Sequence, residues 1–285
     1  VVKIESHTVP VLEGKVRLSD YAGGIFKTIP SRKGMKKAID KGLVQLNGKT
    51  AKTGNFISEG DVLDLLENPN QTRPTIELAL EVLFEDEHLA VIYKPAGIEV
   101  SGNKKWTLEN ALSSNLKRSV EQDALKFPEP IHRLDYPTSG ALLIGKTAST
   151  VTVLNKLFEE RKVQKVYHAV AIGKMEEHGI IESPIDGKPS KSLFTVLQTV
   201  ESERFTFLNL VKLEPHTGRR HQLRKHLSQI GNPILGDRDY GIEGLILNGK
   251  GLYLHASSLL FQHPISKEKL FAEAALPKKF LKIFP

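Results

Sequence analysis

Hydrophobic residues recur along this chain with two different periods, and each switch between them marks an element. Met35 and Ile39 lie one helical turn apart between Ser31, a good N-cap, and Gly42, a good stop, so the spacing predicts a helix over 31–42. A shorter helix is expected to carry Leu18, Tyr21 and Ile25, capped by Ser19 and weakened by Gly23 and Gly24. After Gly42 the period drops to two. Val44-Gln45-Leu46 enters Asn47-Gly48, a strong hairpin signal, and Gly60-Asp61 turns into Val62-Leu63-Asp64-Leu65. Residues 68–75 hold no apolar side chain except two prolines. They read as a linker between a module at 1–67 and a second domain at 76–285.

In the second domain, strands are expected over 81–84 and 89–93, the latter ended by Pro95. Thr107 can cap a helix bearing Leu108, Ala111, Leu112 and Asn115, and the polar, proline-bearing stretch 117–130 reads as a loop. Ala141-Leu142-Leu143-Ile144 is an unbroken apolar run, expected as a buried strand. Val151, Leu154, Leu157 and Phe158 mark an amphipathic helix ending near Arg161. A strand over 165–172 then places Lys165, Tyr167 and Ala169 on one face. A polar excursion with a turn at Asp186-Gly187 leads to another buried strand over 205–211. A basic helix is expected from Arg219 to Gln229, with Leu223, Leu227 and Ile230 as its stripe and Gly231 as its stop. Strands and helices mix without regular alternation, which favours an α+β fold over a doubly wound sheet.

Composition narrows the partner. The 285 residues are 40% hydrophobic and 26% charged, an ordinary soluble balance. A net charge of +7 favours an acidic partner, nucleic acid ahead of anionic membrane. Between Lys27 and Lys41 six basic residues face one acid, with Arg32, Lys33, Lys36 and Lys37 on the outer face of the first predicted helix. Such a face repels itself unless it meets phosphates; a solvated basic surface is the alternative. There is no cysteine, so disulfides, thiol nucleophiles and thiolate metal sites are excluded. No apolar run approaches the ~18 residues of a membrane span, and no signal-peptide pattern opens the chain, so a cytoplasmic protein is expected.

The candidate chemistry centres on 131–140, Ile-His-Arg-Leu-Asp-Tyr-Pro-Thr-Ser-Gly. Asp135 stands at the lip of the buried strand, held by a Pro137/Gly140 turn, as a catalytic carboxylate on a rigid scaffold would. A surface aspartate in an Asx-turn is the other reading. Arg220 and Arg224 sit four apart beside the Leu223 stripe. A bidentate guanidinium there would orient Asp135, unless the arginine belongs to a purely structural ion pair. Tyr167 could stack on a base and offer its hydroxyl. His216, His221 and His226 are spaced by five, ~140° apart on a helix, and cannot converge on a metal. No phosphate-cradling glycine loop occurs, so neither a nucleotide or flavin cofactor nor a methyltransferase is implied.

Two resemblances follow. Arg17-Leu18, Ser31-Arg32, Gly42, Val44, Asn47-Gly48 and Gly60-Asp61 resemble, in order and spacing, the S4 RNA-binding domain. His132-Arg133-Leu134-Asp135 with Thr138-Ser139-Gly140 resembles the signature of the RluA-type pseudouridine synthases. Further matching blocks are Lys94-Pro95-Ala96-Gly97, Lys165-x-Tyr167, Gly218-Arg219-x-His221-Gln222-Leu223-Arg224-x-His226, and Gly231-x-Pro233-Ile234-Leu235-Gly236-Asp237 with Tyr240-Gly241. His255-Ala256 and His263-Pro264 complete the set, so the likeness spans roughly 80–280.

The resemblance implies a mainly antiparallel catalytic domain behind an S4-like module, and a cofactor-free, metal-free isomerase converting uridine in RNA to pseudouridine. Asp135 would be the essential carboxylate, as nucleophile at C1′ or base at C2′, with Arg224 as its partner. Tyr167 would pack on the uracil and take the C5 proton. Arg133 would fill the gap left by a flipped-out uridine, and His132 would be structural. Arg220 with Arg32, Lys33, Lys36 and Lys37 would contact the RNA, ribosomal RNA of the large subunit before transfer RNA, and the protein would act as a monomer. Two departures stand out. The segment after Gly97 lacks a His-Pro pair, and the closing block over 269–277 keeps only Pro277.

Overall fold

The computed structural model describes residues 2–29, 31–67, 73–247 and 249–285, so most of the expected linker, 68–72, lies outside the described residues. The N-terminal segment forms β1 (Lys3–Thr8), β2 (Val16–Arg17), α1 (Leu18–Tyr21), α2 (Arg32–Asp40), β3 (Val44–Leu46), β4 (Lys49–Thr50), β5 (Phe56–Ile57) and β6 (Val62–Leu66). Ser31 caps α2 as expected, its hydroxyl accepting the Gly34 N–H at 3.1 Å. Met35, Ala38 and Ile39 turn inward onto Val44, Leu63 and Leu65, in a hydrophobic cluster built solely from residues 9–65. Asn47 and Gly48, with φ of 50° and 77°, make the predicted tight hairpin between β3 and β4. The sheet order is β1-β6-β3-β4.

One expectation fails here, and one strand is new. Helix α1 ends at Tyr21 and Ser19 lies inside it, so that serine is no cap. Strand β1 was not foreseen, because it buries no residue fully and its sequence carries no core-facing alternation.

The remaining chain adds β7 (Val82–Glu85), β8 (Leu89–Lys94), a 3₁₀ turn (Leu108–Asn110), α3 (Leu112–Asn115), β9 (Ala124–Pro130) and β10 (Ser139–Thr147). Then come α4 (Ala148–Glu159), β11 (Gln164–Ile172), β12 (His178–Ile181), β13 (Ser192–Ser202), β14 (Thr206–Pro215), α5 (Gln222–Gln229), β15 (Leu254–Gln262), β16 (Lys269–Glu273) and α6 (Lys278–Leu281). Ten of these strands form one sheet, ordered β12-β13-β14-β11-β15-β10-β8-β7, with β9 added to β10 and β16 to β15. Helices mixed with a mainly antiparallel sheet make this an α+β fold.

Strands β8 and β10 bury both faces. Val91 and Leu143 pack against Leu154 of α4, while Ile92 and Leu142 pack against Leu108 and Leu112. That double burial is why 141–144 reads as a continuous apolar run. All strand pairs are antiparallel except β10 with β15, which touch in parallel over two rungs, Ser139↔His255 and Gly140↔Ala256. Past those rungs β15 pairs with β16 and β10 with β9, so the sheet divides there. The junction requires glycine: a Cβ on Gly140, whose φ is 122°, would sit 2.1 Å from the Ala256 carbonyl oxygen.

Several elements differ from expectation. The stretch 117–130 contains β9, whose Pro128 and Pro130 are tolerated on a strand paired along one edge. The polar excursion holds β12 and half of the long hairpin β13–β14, around the predicted Asp186-Gly187 turn. Thr107 makes no capping bond and its helix breaks into a 3₁₀ turn and α3. Helix α5 starts at Gln222, three residues late, because His221 has φ of 56°. Ile230, the last residue of its expected stripe, is exposed. The closing segment, which departs from the family's pattern, forms β16 and places Phe280 and Phe284 in the core.

Gly140→Ala is expected to lower stability by about 3 kcal/mol or more, from steric overlap and backbone strain together. Gly54→Ala, whose Cβ would meet nothing within 4 Å, should stay within ~0.5 kcal/mol. Urea denaturation of the two variants compares them directly, and equal midpoints would refute the junction's steric limit.

Candidate active site

Between β9 and β10 the chain makes a loop whose ends are fixed by side chains. His132 turns inward, stacks on Phe158 at 4.9 Å and accepts the Leu143 N–H on Nε2 at 3.1 Å. Burial, aided by the charge of Lys165, drops its pKa to about 3, so the ring is neutral. Leu134 is buried. The Thr138 N–H closes a turn on the Asp135 carbonyl at 3.0 Å, and the Gly97 N–H reaches the Tyr136 carbonyl at 2.8 Å. Beneath them lies Lys94, wholly buried, whose ammonium donates to the carbonyls of Thr138 (2.7 Å), Pro95 (3.0 Å) and Tyr136 (3.3 Å). Burial pushes the Lys94 pKa down to about 8 against the attraction of Asp135.

Asp135 therefore uses its backbone carbonyl, not its carboxylate, to make the turn. The carboxylate opens into a cleft of about 1360 Å³ and, among the described residues, accepts no hydrogen bond. That disposes of the Asx-turn reading. Tyr167, Arg133, Arg220 and Arg224 line the same cleft. Tyr167 and Lys165 lie two apart on β11, opposite a bulge in β15 that shifts the register between Val166 and Tyr167. Burial, and then the charge of Asp135, hold the Tyr167 phenol well above its ordinary pKa. Lys165 is lowered by burial, and its ammonium sits 5.9 Å from the Phe158 ring centre.

The facing wall corrects one expectation. Arg224 does not pair with Asp135. Its Nε and Nη2 donate to the two carboxylate oxygens of Asp237 at 2.7 and 2.6 Å, and Nη2 also reaches Asp239 at 2.7 Å. Burial opposes the Arg224 charge, but these two acids outweigh it and hold the pKa above its ordinary value. Asp237 also accepts the N–H groups of Asp239 and Tyr240, which fixes the turn at 237–240. Being fully buried, Asp237 gives Arg224 the bidentate partner that its depth in the core demands. Arg220 precedes α5 and is exposed, so it does not share a helix face with Arg224.

Among the described residues, the basic side chain within 4 Å of the Asp135 carboxylate is His221. Its Nε2 is 3.8 Å from Oδ1, while Nδ1 is 2.9 Å from the Tyr240 hydroxyl. Lys94, Lys165, His221, Asp237 and Tyr240 all lie in motif blocks, yet spacing alone gave them no role. Among the described residues no group of three His, Asp or Glu side chains is placed to hold a metal ion.

The remaining predicted contacts gather elsewhere. Arg32, Lys33 and Lys36 line a separate hollow of about 620 Å³ with Arg17, Ser19, Thr53 and Gly54. Arg32 is paired there with Asp20 and donates to the Ser19 carbonyl. Lys37 is exposed outside that hollow.

Comparison with known proteins agrees on one activity. Residues 88–229 match the family model described as RNA pseudouridylate synthase. An uncharacterized RNA pseudouridine synthase of Aquifex aeolicus is 32% identical over 283 residues, covering 89% of this chain and 88% of that protein. The ribosomal large subunit pseudouridine synthase C of Vibrio cholerae is 31% identical over 291 residues, covering 91% and 89%. Among solved structures, human RNA pseudouridylate synthase domain containing 4 superposes with a TM-score of 0.58 at 25% identity, covering 70% of this chain and 90% of that one.

Breaking the buried pair at Asp237 should destabilise far more than removing the 60% exposed Asp239. Asp237→Asn is expected to cost about 3 kcal/mol and Asp239→Asn less than ~1 kcal/mol, read from urea unfolding. Equal losses would show that the wall does not rest on the Arg224–Asp237 pair.

Proposed function

This chain belongs to the RNA pseudouridylate synthase family, and we propose that it isomerises uridines of large-subunit ribosomal RNA with Asp135 as the reacting carboxylate. One observation carries the assignment of Asp135. Four acids line the cleft, and three are already engaged: Glu99 with Lys104, and Asp237 and Asp239 with Arg224. Asp135 alone among them faces the cleft with its oxygens free of hydrogen bonds from the described residues. The ribosomal target is supported by the names of relatives such as the Vibrio cholerae enzyme; transfer RNA is the second choice.

The chemistry conserves atoms. The N1–C1′ bond breaks, the uracil turns, C5 bonds to C1′, the C5 proton leaves and N1 gains a proton. Asp135 meets the electron-poor sugar either by attacking C1′, that bond breaking again as C5 bonds to C1′, or by taking the C2′ proton, which returns to C2′ at the same stage. On both routes its charge disappears in the intermediate. With that charge goes one of the two influences that keep the proton on Tyr167, so the phenol ionises more readily to the proton-accepting phenolate after the first step than before it. Such an order suits removal of the C5 proton late in the reaction. Arg133, exposed at the cleft, is suited to fill the stack left by the flipped uridine.

The N-terminal unit is read as an S4-like domain over 1–67. Its basic hollow, with Lys33 and Lys36 exposed beside it, would hold RNA phosphates.

Asp135→Asn should reduce tritium release from C5-labelled RNA by about 10²–10⁴-fold or more while RNA still binds; normal turnover by the variant would sink the assignment. Replacing Lys33 and Lys36 with Ala should reduce the slope of log affinity against log salt by roughly 1.5–2. An unchanged slope would mean that this helix touches no RNA.

A further inference from the structure

Beside the reacting carboxylate stands a histidine that takes no part in the bond changes of the isomerisation. His221 has a left-handed backbone, φ 56°, immediately before α5, and its side chain caps no helix N–H. A non-glycine residue there is strained, and such strain persists where surrounding contacts fix it. Here the contacts lie on both ring nitrogens. The Tyr240 hydroxyl is 2.9 Å from Nδ1, the two rings meeting nearly edge-on at 76°, and Asp135 Oδ1 is 3.8 Å from Nε2. A neutral imidazole carries one N–H and one lone pair. Were the proton on Nδ1, the Nε2 lone pair would face a carboxylate. With the Tyr240 O–H donating to Nδ1, Nε2–H points at Asp135 instead, and that arrangement is attractive.

We propose that His221 is the positioning residue for Asp135: Tyr240 fixes its tautomer, and its Nε2–H orients the carboxylate as long as the imidazole is neutral. The 3.8 Å separation shortens to a hydrogen bond when substrate closes the cleft, as catalytic contacts commonly do. The inference rests on Asp135 being the reacting group.

The groups facing His221 define its pH response. Burial disfavours the imidazolium first. Asp135 from the loop before β10 and Asp239 from the turn after α5 favour it, and Arg224 and Arg220 oppose it. The net effect lowers its pKa from the ordinary 6.5, so the ring is neutral at physiological pH. Acidification through that lowered value charges the ring. An imidazolium would then hold the Asp135 electron pair in an ion pair, and its new Nδ1–H would displace the Tyr240 donor. Turnover falls on the acid side for that reason.

The test is single-turnover tritium release between about pH 5 and 9 for wild type, Asp135→Asn, His221→Gln, His221→Asn and Tyr240→Phe. A glutamine amide approximates Nε2–H without titrating. An asparagine amide suits the left-handed backbone but cannot reach the carboxylate. His221→Asn should lose about tenfold to a hundredfold in rate with KM unchanged. His221→Gln should recover much of that rate and shed the histidine acid limb. Tyr240→Phe should move the limb toward neutral pH, because the neutral ring loses its donor.

Wild-type rate in His221→Asn, or an unaltered limb in His221→Gln, with Asp135→Asn silent, overturns the positioning role and leaves the carboxylate assignment standing. Full turnover by Asp135→Asn overturns that assignment itself. Should His221→Asn fail to fold, Tyr240→Phe decides, since it leaves the strained backbone alone; an unmoved limb there refutes the proposal.

Discussion

The loop that carries Asp135 owes its shape to a charge with no water around it. Lys94 is wholly buried, and its three N–H donors end on three carbonyls of the segments that flank the carboxylate. An unpartnered ammonium at that depth would be strongly unfavourable, so the carbonyls must converge wherever the ammonium sits. Pro95 stops β8 at that point, and the Asp135 turn is folded over it. The same cation lies under Asp135, and the attraction between the two opposes the loss of the ammonium's charge to burial. Backbone geometry and carboxylate electrostatics thus have one source.

The opposite wall uses a different principle. Arg224 and Asp237 satisfy one another in the interior, which keeps Arg224 from neutralising Asp135. Its guanidinium carbon also lies 4.9 Å from the centre of the Tyr240 ring, so the pair that closes the wall also steadies the phenol beside His221. A free arginine against the Asp135 carboxylate would occupy its oxygens. By holding that charge elsewhere, the fold leaves Asp135 next to a neutral imidazole and a protonated phenol.

How far the sequence spoke follows from burial. Elements that press one full face into a core were legible: α2 through Met35 and Ile39, α4 through Leu154, and β10 through its unbroken apolar run. Several strands paired along one edge were not. Strand β1 buries nothing fully, β9 carries two prolines, and β12 alternates only weakly. The cleft was legible in its membership, since Asp135, Tyr167, Arg133 and Arg220 do line one cavity. Its pairing was not. Arg224 was matched to the acid already in view, whereas its partner lies 13 residues on, in a turn that spacing could not bring back to the helix. The role of His221 depends on one backbone angle, and no residue pattern announces a left-handed histidine.

The placement of β15 bears on how the molecule comes to exist. This strand, Leu254–Gln262, lies between β11 and β10, yet both of its neighbours precede it by many residues. During synthesis the β7–β10 group and the β11–β14 group emerge first, each with an open edge where the late strand belongs. Contacts of such long sequence separation form slowly, and unpaired edges invite wrong partners in the interval. Asp135 lies on one group and Tyr167 on the other. The carboxylate and the phenol therefore acquire their mutual register only when residues 254–262 slot between them, so a nascent chain holds every cleft residue up to Asp239 before it holds a working cleft.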